Sequence, residues 1–70
     1  MFYPGWLYKN TKSNIQFIPM SCTLSNDGVT AFGYLFEEKS DNIILKDYTV
    51  RVKTKEYPDW VKQYEYFKHN

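Results

Sequence analysis

MSCTLSNDGVTAFGYL, residues 20–35, is two extended runs about Asp27-Gly28, and its reading decides the fold. Asp-Gly between such runs signals a β-hairpin, because a type I′ turn needs φ > 0 at both central residues. With Asp27 and Gly28 in those positions, Asn26 faces Val29, Leu24 faces Ala31, Cys22 faces Gly33 and Met20 faces Leu35. Side chains alternate along a strand, so Met20, Cys22, Leu24, Val29, Ala31, Gly33 and Leu35 share an apolar face. The other face carries the hydroxyls of Ser21, Thr23, Ser25 and Thr30 and an aromatic stripe, Phe32, Tyr34 and Phe36. A three-residue Asn26–Gly28 loop with a bulge would exchange the two faces. Gly33, inside a run, predicts a bulge, a bend or a close backbone approach.

Downstream, Glu37 to Asn42 reads as a charged loop closed by Ser40-Asp41-Asn42. Ile43-Ile44-Leu45 is β-branched and apolar, with Lys46-Asp47 marking a kink. From Tyr48 to Lys53 the alternation is clean, Tyr48, Val50 and Val52 against Thr49, Arg51 and Lys53, which predicts a half-buried strand. Upstream, Asn14 to Ile18 is extended, and Pro19 cannot donate to a ladder, so that strand is at an edge or broken there. Trp6-Leu7-Tyr8 is a short strand after the Tyr3-Pro4-Gly5 turn.

The tail predicts a helix. Pro58 suits a first helical position, with Asp59 in the first turn and Lys68 in the last. Tyr57, Trp60, Val61, Tyr64 and Phe67 fall at helical spacing and would form one apolar stripe. The competing signal is Tyr64-Glu65-Tyr66-Phe67, which is strand-like in composition. The expected fold is therefore α+β: four to five antiparallel strands, as a small sheet or an SH3-like or OB-like barrel, with one C-terminal helix.

Seventy residues make one domain, residues 1–70, of a size that buries only about 60% of its unfolded surface. Cys22 is the only cysteine, so no disulfide braces it, and with His69 as the only other soft ligand no metal is expected. A single cysteine, the absence of a basic and apolar leader in Met1 to Trp6, and the lack of a spanning-length apolar run predict cytoplasmic residence without membrane contact. The net charge of +1 supplies no bulk pull toward nucleic acid or membrane. Eight lysines against one arginine, with abundant Asn, Tyr and Ile, is the bias of AT-rich codons and would suit a bacteriophage or mobile element.

No catalytic constellation emerges. A Cys22–His69 nucleophile pair would need a thiol predicted to lie inside the sheet. Glu37, Glu38 and Asp41 sit in a polar turn with nothing to separate their pKa values. No glycine loop cradles a phosphate, and no cofactor is expected. Aromatics are instead the outstanding feature. They make up 20% of the chain, more than a core of this size hides, and Trp and Tyr dominate protein interfaces.

The expectation is a non-enzymatic module that binds another protein through Trp6, Tyr8, Phe32, Tyr34, Phe36 and Tyr66, with Tyr3 a further exposed candidate. Its phage-like form would be an inhibitor of a host defence or housekeeping protein. One alternative is single-stranded nucleic acid held by Arg51, Lys53 and Lys55, one strand face at about 6.5–7 Å intervals, with stacked aromatics. The other is a structural homo-oligomer, joined at an exposed edge such as Asn14 to Ile18.

Overall fold

The computed structural model describes residues 2–68. The hairpin forms, but its register is shifted by two residues from the Asp-Gly reading, with Leu24 opposite Val29 and Cys22 opposite Ala31. Its strands are β2, Gln16–Ser25, and β3, Gly28–Lys39, and the turn is Asn26-Asp27 between paired Ser25 and Gly28. Among the described residues, only Asn14, Ser40 and Gly5 have positive φ, so the type I′ turn is absent. Ser25 Oγ lies 3.1 Å from Asp27 Oδ1 and 3.2 Å from Gly28 O, which ties the turn through its side chains. Gly28 serves packing instead: a Cβ there would collide with Val52 O of the next strand.

The pairing continues into a long hairpin. Strand β4, Asn42–Lys53, pairs β3 along its whole length, from Gly28↔Lys53 to Lys39↔Asn42. The predicted charged loop is thus mostly strand, with Ser40 and Asp41 alone forming the turn, and Lys46-Asp47 is no kink. Strand β1, Trp6–Asn10, pairs β2 at Tyr8↔Phe17 and Lys9↔Gln16.

The C-terminal helix is absent, and the α+β expectation fails with it. Thr54–Asp59 is a short 3-10 helix containing Pro58, and Trp60 is already extended at φ −98°, ψ 112°. Strand β5, Trp60–Glu65, then lies along the free edge of β1, from Trp6↔Glu65 to Asn10↔Trp60. The fold is one five-stranded antiparallel sheet in the order β4-β3-β2-β1-β5. A short β1 with buried Leu7 and Tyr8 needs a second hydrogen-bonded neighbour. That tertiary demand overrides the helical spacing, which is a weak local preference.

The supposed helical stripe is accordingly dispersed. Trp60 and Tyr57 pack on one core cluster, Phe67 packs on another, and Val61 and Tyr64 are exposed. The sheet carries a core on each face. On the inner face Tyr8, Phe17, Val29, Ala31 and Val52 are buried together with Phe2. Phe17 sits at its centre, edge-to-face with Phe2, Tyr48 and Trp60 at ring separations of 6.3, 5.9 and 6.1 Å. On the other face Leu7, Ile18 and Phe36 form a smaller core, with Leu45, Tyr66 and Phe67 against it.

A bulge decides which β2 residues reach these cores. The β2–β3 register shifts between Pro19 and Ser21, so Phe17, and not Met20, joins the face of Val29 and Ala31. The bulge accompanies the close approach that Gly33 implies, since a Cβ at Gly33 would collide with Ile18 O. Met20, Cys22 and Leu24, expected in the core, are exposed. Beyond Pro19 β2 has no β1 partner, and among the described residues nothing covers that half of the strand. Pro19 O accepts the Gly5 N–H at 2.9 Å and ends the ladder there. Asn14 to Ile18 is therefore no edge, and the edges of the sheet are β4 and β5.

Candidate functional site

The aromatic stripe of β3 is the feature around which a site can be built. Phe32, Tyr34 and Phe36 alternate onto the face opposite the valines, where β4 sets Thr49, Asp47 and Leu45 across from them. Their exposure is graded. Phe36 is 5% exposed, Tyr34 is half-buried and Phe32 is 46% exposed.

The gradient has a specific cause. After β5 the chain turns over this face, with the Tyr66 and Phe67 N–H groups both donating to Gly5 O at 2.8 and 2.9 Å. Tyr66 then lies edge-on to Phe36 at 5.5 Å and Phe67 edge-on to Tyr34 at 6.0 Å. The two tail rings lock each other at 4.9 Å. Among the described residues the tail rings reach Phe36 and Tyr34, and Phe32 is left exposed.

Beside Phe32 and Tyr34 opens a recess of about 320 Å³, bordered by Met20, Ser21, Asp47 and Thr49. Met20, pushed outward by the bulge, is 38% exposed. Two large apolar side chains thus flank a recess with a carboxylate and two hydroxyls on its rim. That arrangement can take an apolar side chain and orient it by hydrogen bonds.

The sequence-selected aromatics divide between core and surface. Tyr8 and Phe36 are buried and offer no contact surface, while Tyr66 is half-buried over Phe36. Burial pushes the Tyr8 hydroxyl pKa up, against the opposing pull of the Tyr3 N–H that it accepts at 2.8 Å. Trp6 is on the opposite face from the stripe, where the Lys62 ammonium sits 4.7 Å from its ring and 4.6 Å from that of exposed Tyr3. Only Phe32 and Tyr34 are brought together at the recess. Met20 at the recess and Phe67 against Tyr34 were missed, because the bulge and the tail that place them are long-range features.

The basic stripe is shorter than the spacing predicted. Arg51 and Lys53 are exposed on β4, opposite Thr30 and Gly28. Lys55 falls in the 3-10 turn, which starts after Lys53, whose N–H donates to Glu56 Oε1 at 2.9 Å. The acidic neighbourhood is partly neutralised by Lys46 Nζ, 3.2 Å from Glu37 Oε1.

Cys22 is exposed on β2, and partial burial pushes its thiol pKa up, toward the unreactive form. His69, its hypothetical partner, lies outside the described residues. Among the described residues no group of three or more His, Cys, Asp or Glu is placed to hold a metal ion, and no helix is long and apolar enough to cross a membrane. No protein-family model matches the chain, and no curated protein or solved structure does either.

Proposed function

We propose that this chain is a non-enzymatic binding module whose partner is another protein, engaged through Phe32 and Tyr34 with Met20 and Phe67 beside them. The observation that carries the reading is the bare end of the stripe: Phe32, 46% exposed, next to exposed Met20 at a recess. A folded chain hides large apolar groups where it can, and clustered exposed ones mark interaction sites. An exposed aromatic beside a pocket is a common anchor of such an interface. The reading extends to a cytoplasmic phage or mobile-element product that blocks a host protein, supported by chain size and codon-like bias alone.

A second reading, single-stranded nucleic acid, draws on one placement. Arg51 and Lys53 share the face of Phe32, so bases and phosphates would meet rings and cations together. The two readings separate in a pull-down of tagged protein from a natural host's lysate, with and without nuclease. A stoichiometric protein partner that survives nuclease and is lost with Phe32→Ala supports the first. Binding that vanishes with nuclease, or weakens steeply between low and physiological salt, replaces it with the second.

A further inference from the structure

Strand β4 is an edge along its whole length, from Asn42 to Lys53, with every ladder partner on the β3 side. Long unpaired edges invite another strand, and proteins guard them with charge. Here the guard is uneven. Ile43 is 48% exposed, while the charges are Lys46, Asp47, Arg51 and Lys53. Beside Tyr48–Arg51 lies an open recess of about 310 Å³, shared with Asn10, Ile15, Glu56, Asp59 and Trp60.

Two copies joining through antiparallel β4 strands must be related by a two-fold axis perpendicular to the sheet, so opposed residues come from the same face. Centring that axis on Lys46 opposes two lysines, and centring it on Asp47 opposes two aspartates. Centring it on Thr49 opposes Asp47 to Arg51 twice, with Lys53 diagonal to Asp47, and pairs Leu45 to Lys53 of each copy. Centring it on Val50 also opposes unlike charges, Asp47 to Lys53 twice, but the ladder then spans only residues 47–53. The edge charges therefore exclude some registers, and the longer ladder favours the Thr49-centred one.

We infer that the protein self-associates through β4, with Thr49 on the two-fold axis and Asp47 of each copy paired to Arg51 of the other. The product is a ten-stranded sheet in which both stripes, Phe32 and Tyr34 of each copy, face the same side. The two β3 strands are then about 14 Å apart. A single strand pair lies at the small end of specific interfaces, so the dimer is weak, with a Kd of roughly 10–100 μM.

The test is sedimentation velocity across that range, on the wild type, Asp47→Arg, Arg51→Asp and the double variant, with circular dichroism confirming each fold. The expected result is a mass rising toward the dimer in the wild type, monomers for both single reversals, and restored dimer in the double reversal. A wild type still monomeric at about 500 μM, well above the expected Kd, overturns the proposal. So does a dimer indifferent to both single reversals, or a folded double variant that stays monomeric.

A second measurement reports the register itself. In a Cys22→Ser background Thr49→Cys should oxidise to a disulfide-linked dimer, because opposed Cα atoms in a ladder lie within disulfide reach. Lys39→Cys, at the far hairpin end, should not. Cross-linking of both alike, or of neither, overturns the Thr49-centred register.

Discussion

The two halves of β2 differ more than their sequences do. Gln16–Pro19 is buried from Phe17 onward, and Met20–Ser25 is exposed throughout, although each half carries large apolar side chains, Phe17 and Ile18 in one and Met20 and Leu24 in the other. Phe17 is 0% exposed and Leu24 is 76% exposed. Both belong to inner-face positions, Phe17 opposite Leu35 and Leu24 opposite Val29. What differs is the neighbourhood. The first half lies between β1 and β3 under Phe2 and Trp60, and the second has β3 alone. Burial in a small sheet is thus set by which elements arrive alongside, more than by the strand's own pattern.

The sharpest break of this comparison is Phe17→Ala against Leu24→Ala. Removing Phe17 empties the centre of the inner core and should cost about 3–5 kcal/mol, enough to unfold much of so small a domain. Removing Leu24 should change stability by less than about 0.5 kcal/mol. Urea unfolding followed by near-ultraviolet circular dichroism measures both. Equal losses would show that the far half of β2 is covered after all.

The hinge between the halves is next. Gly33→Ala places a Cβ against Ile18 O at the bulge and should cost about 2–3 kcal/mol, because the collision is with backbone. Its loss should also increase amide exchange of Ile18 and Ser21, which flank the shifted register. A neutral Gly33→Ala would mean that the register shift relaxes without penalty.

The smallest effect is in pH. Burial raises the folded Tyr8 pKa, so the folded chain holds that proton more tightly than the unfolded chain does. Its stabilisation is complete below the unfolded value of about 10 and is lost as pH climbs through the higher folded one. Cys22, also raised, adds a contribution of the same sign. In a Cys22→Ser background, Tyr8→Phe should cost about 1 kcal/mol at neutral pH, through the lost acceptor for Tyr3 N–H. It should also flatten the fall in urea midpoint between about pH 10 and 12. An unchanged slope would place the titrating group elsewhere.

Much of this fold could be read locally. Asp27-Gly28 located the central hairpin, and Tyr48 to Lys53 was read in the correct alternation. The face shared by Val29 and Ala31 survived the altered turn, because a pairing shifted by two residues keeps every side chain on its side. Gly33 and Pro19 each marked an irregularity at its true position. What was not legible was long-range. Nothing near Tyr57–Phe67 announces that β1 needs a neighbour, so helical spacing outweighed strand composition. The site shows the same division. Phe32 and Tyr34 were visible as an alternating stripe, whereas burial of Phe36 depends on Tyr66 and that of Tyr8 on Phe2, 4.8 Å away between ring centres.

Gly5 joins the approach to β1 to the turn that follows β5. Its N–H donates to Pro19 O, and its carbonyl receives both Tyr66 and Phe67. Synthesis proceeds from the other direction. While the chain is being made, β1 can meet β2, and the long β2–β3–β4 hairpins can form, as soon as each emerges. The outer edge of β1 and the cover over Phe36 must wait for Trp60–Glu65 and Tyr66 to emerge. Until then Leu7, Ile18 and Phe36 face water together, an adhesive surface that a nascent chain must carry. Closure of this sheet therefore waits on β5 and on the Tyr66–Phe67 turn that reaches Gly5.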